Sequence, residues 1–146
     1  MKLSSKGRYA VMAMADLAKI NRNYPTSLSE ISLRQGISIS FLEQIFLKLK
    51  KSNLVFSSRG PTGGYYLSKP PKEIKLSSII KAVDEKVKTV GCKKESKKAC
   101  NGKSIKCITH SLWEDLENHI NSFFEKNTLS DIIFKVTKER QKELNL

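Results

Sequence analysis

Acidic residues are scarce in this chain: 14 Asp and Glu face 27 Lys and Arg, a formal net charge of +13 over 146 residues. A field of one sign attracts polyanions and speeds their capture, although charge alone does not separate nucleic acid from an anionic membrane. Long apolar runs are also missing. None approaches the roughly 18–20 residues of a membrane-spanning helix, so no membrane role is expected. Cysteine is limited to Cys92, Cys100 and Cys107. An odd count inside one short stretch does not suit a disulfide framework, and it points to a reduced, cytoplasmic setting with thiols free for a metal or redox chemistry. No Cys-Xaa-Xaa-Cys is present, which disfavours a thiol oxidoreductase, and no internal repeat is found. Hydrophobic residues make up 39%, enough for a modest core but not for a large lidded cavity.

What is present begins with helical periodicity. Tyr9, Met12, Ala13, Leu17 and Ile20 recur at helical spacing over Ser5–Ile20. The basic residues before Ala10–Ala15 imitate a signal peptide, but Asp16 ends that run after six residues, which is short for a signal core. Asn21–Pro25 reads as a loop. Ser27 and Glu30 have capping-box spacing and open a short helix that Gly36 ends. A third helix follows, capped by Ser38 or Ser40, with the stripe Phe41, Leu42, Ile45, Phe46 and Leu49. Two helices joined by a tight glycine-containing turn form a helix-turn-helix pattern. Leu54–Ser58, the turn Arg59–Gly64 and Tyr65–Ser68 then read as a hairpin, at the place of a wing. After a Pro-Pro connector, Leu76–Val83 reads as a helix and Gly91–Lys106 as a loop. Thr109–Phe124 reads as a long helix and Leu129–Val136 as a last one, with a frayed polar tail after Lys138.

The fold expected is mainly α with a small β wing. Residues 1–75 would form a winged helix-turn-helix DNA-binding domain, and residues 76–146 a cysteine loop (91–107) with dimerisation helices. A recognition helix offers polar side chains from its first turns to base edges. Those are Ser38, Ser40, Glu43 and Gln44, with Phe41 available to a thymine methyl. Glu43 has two readings. As a carboxylate near phosphates it rejects sequences that give it no base donor; alternatively it completes a capping box with Ser40. Arg59 on the thin wing suits a minor groove. Arg8, Lys6, Lys48, Lys50 and Lys51 are candidates for phosphate contacts, or simply a solvated basic face.

Cys92, Cys100 and Cys107 are separated by seven and six residues, and His110 follows Cys107 by one helical turn at the start of the long helix. A helix N-terminus favours thiolate. Three thiolates and one neutral imidazole suit a [2Fe–2S] centre. Structural zinc prefers ligands two to four residues apart, and a cluster-free thiol switch is a third reading. His110 also reads as a polar residue that binds nothing, and His119 only as that. The stripe Leu112, Trp113, Leu116, Ile120, Phe123 and Phe124 is more than a small domain hides easily. A twofold-related copy would cover it and present two recognition helices to a palindrome.

Several segments together resemble the iron–sulfur cluster regulator (IscR) family. They are Ser5-Lys6-Gly7-Arg8-Tyr9-Ala10, Gln35-Gly36-Ile37-Ser38, Leu42-Glu43-Gln44, Arg59-Gly60-Pro61, Gly63-Gly64-Tyr65, Ala82-Val83-Asp84-Glu85 and Cys107-Ile108-Thr109-His110-Ser111-Leu112-Trp113. The resemblance spans residues 1–135. It implies a bacterial cytoplasmic homodimer that binds a palindromic double-stranded operator and controls cluster-assembly genes. It implies a [2Fe–2S] cluster on Cys92, Cys100, Cys107 and His110, Glu43 as the residue that discourages the apo form from one promoter class, and Arg59 as the wing contact. The cysteine spacing is wider than the family's usual one, which leaves open a [4Fe–4S] regulator sensing nitric oxide or a cluster-free repressor responding to cysteine.

Overall fold

Three helices carry the N-terminal unit, and the second and third each open on a serine cap. The computed structural model describes residues 3–20, 24–88 and 107–145. Helix α1 (Ser5–Lys19) buries Ala10, Ala13, Met14 and Leu17, one face at helical spacing. Helix α2 (Leu28–Gln35) opens on the expected capping box: Glu30 N–H donates to Ser27 Oγ at 3.2 Å, and Ser27 N–H donates to Glu30 Oε2 at 3.0 Å. It closes at Gly36, whose φ of +66° is the left-handed conformation that glycine adopts without a Cβ penalty. Helix α3 (Ile39–Lys51) is capped by Ser38, which accepts from Phe41 N–H at 3.3 Å. Ser40 lies inside the helix, so the Ser40–Glu43 box does not form.

Asp16 fastens the first two helices. It is only 5% exposed, and Arg34 grips it with Nε at 3.1 Å and Nη2 at 2.8 Å, while Gln35 Nε2 donates at 2.7 Å. These bonds push the Arg34 guanidinium above its ordinary pKa. They hold the end of α2, and so the turn into α3, against α1.

Strands β1 (Val55–Ser58) and β2 (Gly64–Leu67) pair antiparallel, with Val55 opposite Leu67 and Ser58 opposite Gly64. The pair is not free of the helices. Tyr65 N–H donates to Thr26 O at 2.8 Å and Thr26 N–H to Tyr65 O at 3.0 Å, just before α2. The Tyr65 ring lies 4.7 Å from that of Phe46 on α3. Gly64 makes this approach possible, because a Cβ there would sit 2.3 Å from Thr26 O.

A 3-10 turn (Pro71–Glu73) leads into α4 (Leu76–Ala82), which buries Leu76, Ile79 and Ile80. Helix α5 (His110–Lys126) has no fully buried residue, and α6 (Leu129–Leu144) buries only Leu129. Leu129 nevertheless joins one core cluster with α1, α2, α3 and α4, so residues from both sides of the expected 75/76 boundary share it. The corner between α5 and α6 is tied to α4 by Leu76 N–H to Asn127 O (2.9 Å) and Leu129 N–H to Ile74 O (3.0 Å). The tail expected to fray stays helical to Leu144. Its Lys, Glu, Arg and Gln are strong helix formers even without burial.

Replacing Gly64 by Ala sets a methyl against backbone rather than a yielding side chain, and should destabilise the fold by about 3 kcal/mol. Asp16→Ala strands Arg34 and Gln35 and should lose about 2 kcal/mol. Urea midpoints of the two variants at neutral pH test both values.

Candidate nucleic-acid interface

Helix α3 has two opposite faces. Leu42, Ile45, Phe46 and Leu49 are buried, whereas Ser40, Glu43, Gln44 and Leu47 are exposed on the other side. Both sets follow helical spacing, so the burial of the first obliges the second to face outward. Glu43 has no hydrogen-bond or ion-pair partner among the described residues, which leaves its carboxylate available to a ligand. Ser38, exposed at the cap, stands at the end of this face. Phe41 does not belong to it. That ring is half-buried, edge-on to Tyr9 with centroids 5.6 Å apart, so it braces α3 on α1 rather than projecting outward. Two exposed apolar residues were not picked out by the sequence reading: Ile39, 44% exposed, and Leu47, 57% exposed. The signal for Leu47 was in the sequence, since it stands four positions from Glu43 and off the buried stripe; Ile39 shares the spacing of Leu42 and Phe46 and is exposed at the first position of the helix.

Arg59 is exposed in the turn between β1 and β2, and Arg8 is exposed on the first turns of α1, its guanidinium 5.7 Å from the centre of the Tyr9 ring. Arg8, Tyr9 and Phe41 thus form a contact chain from the start of α1 to the start of α3. Lys50 and Lys51 are exposed at the end of α3. Lys48 is engaged elsewhere: its Nζ lies 2.7 Å from Asp84 Oδ2. Asp84 follows α4 with a φ of +57°. The next residue, Glu85, accepts from the backbone N–H of Ser4 at 3.2 Å and from the Ser4 hydroxyl at the start of α1. The segment leaving α4 therefore carries two adjacent carboxylates, one fixed to α3 and one to the N-terminal end of α1, where a negative charge complements the helix dipole.

Of the expected metal ligands, Cys92 and Cys100 lie outside the described residues. Cys107 and His110 meet at the start of α5: His110 N–H donates to Cys107 O at 3.0 Å, and Cys107 is half-buried with Sγ 3.7 Å from Thr109 Oγ1. Trp113 Nε1 donates to the same hydroxyl at 3.1 Å. Thr109 is the N-cap but makes no side-chain cap bond. First-turn amides there keep donor capacity for an anionic group. One thiol, one imidazole and a helix N-terminus in one turn suit a thiolate-bound centre. The apolar face of α5 is partly uncovered: Trp113, Leu116, Ile120 and Phe124 are half-buried, whereas Leu112 is 56% and Phe123 54% exposed. At its other end Glu125 accepts from Lys75 Nζ at 2.5 Å and Ser77 Oγ at 2.6 Å. His119 is exposed on α5. No helix among the described residues is long and apolar enough to cross a membrane.

The family described as Rrf2, iron-dependent transcriptional regulator, matches residues 3–135. The chain belongs to the Rrf2 family. It is 47% identical over 133 residues to the HTH-type transcriptional regulator IscR of Serratia proteamaculans, covering 91% of this chain and 79% of that protein. IscR of Yersinia pestis matches at the same identity and coverage. Among solved structures, IscR of T. potens superposes with a TM-score of 0.74 at 34% identity, over 93% of this chain and 88% of that one. CymR, the global cysteine regulator of B. subtilis, gives 0.76 at 29%, over 92% and 98%. This Rrf2 chain is accordingly a DNA-binding transcription regulator and not an enzyme, and its α1–β2 region is a winged helix-turn-helix.

The carboxyls of Asp84 and Glu125 are held below their ordinary values of 3.8 and 4.5, chiefly by hydrogen bonds from Lys48 and Lys75. A depressed carboxylate stabilises the fold fully above its unfolded pKa, and that stability is lost as pH falls through the folded value. Urea midpoints should hold steady down to the ordinary carboxylate range and drop below it. The drop should be shallower for Asp84→Asn and Glu125→Gln, each titrated against the unmodified chain.

Proposed function

We propose that this chain senses iron–sulfur cluster status through a [2Fe–2S] cluster and controls genes for cluster assembly. Cys92, Cys100, Cys107 and His110 would hold the cluster, which supplies a charge and a redox state at the start of α5 that change with occupancy. The observation that carries this reading is that Cys107 and His110 stand together at the entry to α5, linked by the His110 N–H to Cys107 O bond. The likeness to proteins named IscR supports it.

Residues 1–75 act as the DNA reader and 76–146 as sensor and dimerisation unit. Ser38, Ser40, Glu43 and Gln44 face base edges, and Glu43 rejects sites that offer its carboxylate no donor. Arg59 enters a minor groove and Arg8 meets phosphate, while Phe41, expected as a base contact, supports the helix from behind. A second copy covers the open face of α5, giving a cytoplasmic homodimer that reads a palindromic operator. A cluster-free, cysteine-responsive repressor is the second reading, favoured by the likeness to CymR.

Anaerobic purification with iron and sulfide counts, absorption and EPR spectra decides between them. The expected result is a coloured protein with two irons per chain, as a [2Fe–2S] centre requires, lost in Cys107→Ala. A colourless protein, or one with stoichiometric zinc, would falsify the cluster reading. For DNA, Arg59→Ala should weaken operator binding and lower the slope of log affinity against log salt by about one.

A further inference from the structure

We infer that Leu47 and Ile39 are sequence-reading residues of α3, contacting thymine methyl groups on either side of the base that meets Glu43. The inference rests on α3 being the recognition helix. The exposed face of α3 runs Ser40, Glu43, Gln44, Leu47, with spacing i, i+3, i+4, i+7. That is the spacing at which a helix lying in a major groove brings four side chains to base edges. Three of the four are polar and the last is a leucine, 57% exposed. Ile39, 44% exposed, stands four positions before Glu43 as Leu47 stands four after it. The acidic side chain is therefore bracketed along the helix by two aliphatic ones.

Neither aliphatic side chain is needed by the core. Leu42, Ile45, Phe46 and Leu49 fill it from the side opposite Leu47, and Ile39, in line with Leu42 and Phe46 at the first position of the helix, stands outside the core cluster. The occupant must suit an apolar stripe with a carboxylate at its centre and Lys50 and Lys51 exposed at its end. An apolar protein surface would bury Glu43 without a donor and leave the lysines unused. A DNA major groove satisfies all three, because it offers the thymine C5-methyl as its apolar feature, the cytosine N4 amine as a donor to a carboxylate, and phosphates to lysine. Phe41, which sequence periodicity offers for the methyl contact, is withdrawn against Tyr9. That leaves Ile39 and Leu47 as the large apolar side chains exposed on α3.

The test uses the full-length chain and a duplex selected from a randomised pool for tight binding. Each thymine of that duplex is replaced in turn by deoxyuridine, which removes the methyl and nothing else. Affinities are measured at fixed salt for the unmodified chain, Leu47→Ala, Ile39→Ala and Glu43→Ala. Alanine is the best helix former, so the exposed positions should tolerate it, and circular dichroism checks that they do. The unmodified chain should lose about three- to fivefold at particular thymines, the amount one buried methyl confers. Leu47→Ala should bind the thymine duplex more weakly by a similar factor and be indifferent to the methyl at one of those positions; Ile39→Ala should do the same at another. Full affinity in both variants, or undiminished sensitivity to every methyl, overturns the inference. An unchanged sequence preference in Glu43→Ala, together with unchanged binding in Arg59→Ala, overturns the assignment of α3 and the wing themselves. The two failures are therefore distinguishable.

Discussion

Two backbone hydrogen bonds between Thr26 and Tyr65 hold the DNA-reading unit in one shape. They join the entrance of α2 to β2, and the Tyr65 ring, pressed on Phe46, joins both to α3. Without that junction a two-stranded hairpin is at best marginally stable in water. With it, the position of Arg59 is referred through the sheet to the same helix that carries Glu43 and Gln44. Gly64 is the steric condition for the junction, since no side chain fits between β2 and the Thr26 carbonyl.

Around this unit one shared apolar core is supplemented by polar ties at its edges. Asp16 holds Arg34 and Gln35, Asp84 holds Lys48, Glu85 holds Ser4, and Glu125 holds Lys75 and Ser77. Few acidic residues remain in a chain this basic, and several of them serve as ties between elements. Asp16 is buried in its tie, whereas Asp84 and Glu125 stay exposed in theirs, and Arg8, Arg59, Lys50 and Lys51 are exposed as well.

Much of the fold was legible because its signals are local. The capping box at Ser27–Glu30, the stop at Gly36 and the Gly/Pro-rich turn after β1 each act within a few residues, and all three elements formed as expected. What could not be read depends on contacts between distant positions. Ser38 rather than Ser40 caps α3, which freed Glu43. Phe41 fits the apolar stripe and the base-contact list equally well in sequence, and only the ring of Tyr9, 32 positions earlier, decides between them. Lys48 looked like its neighbours Lys50 and Lys51 until Asp84 was found beside it. The tail after Lys138 lacks burial, yet intrinsic propensity carries the helix onward.

Helix α5 is held unequally along its length. Glu125, Phe124 and the adjoining Asn127 engage α4 and the core at its C-terminal end. Cys107 and His110 stand at the other, 17 residues of helix away. At 1.5 Å per residue that is an arm of about 25 Å, so a rotation of about 5° at the clamped corner would carry the far end about 2 Å. Such a displacement breaks a hydrogen bond at the tip while scarcely disturbing the pivot. In mechanical terms α5, among the described residues, is a stiff rod held at its C-terminal end, and under the function proposed above its load is applied at the other.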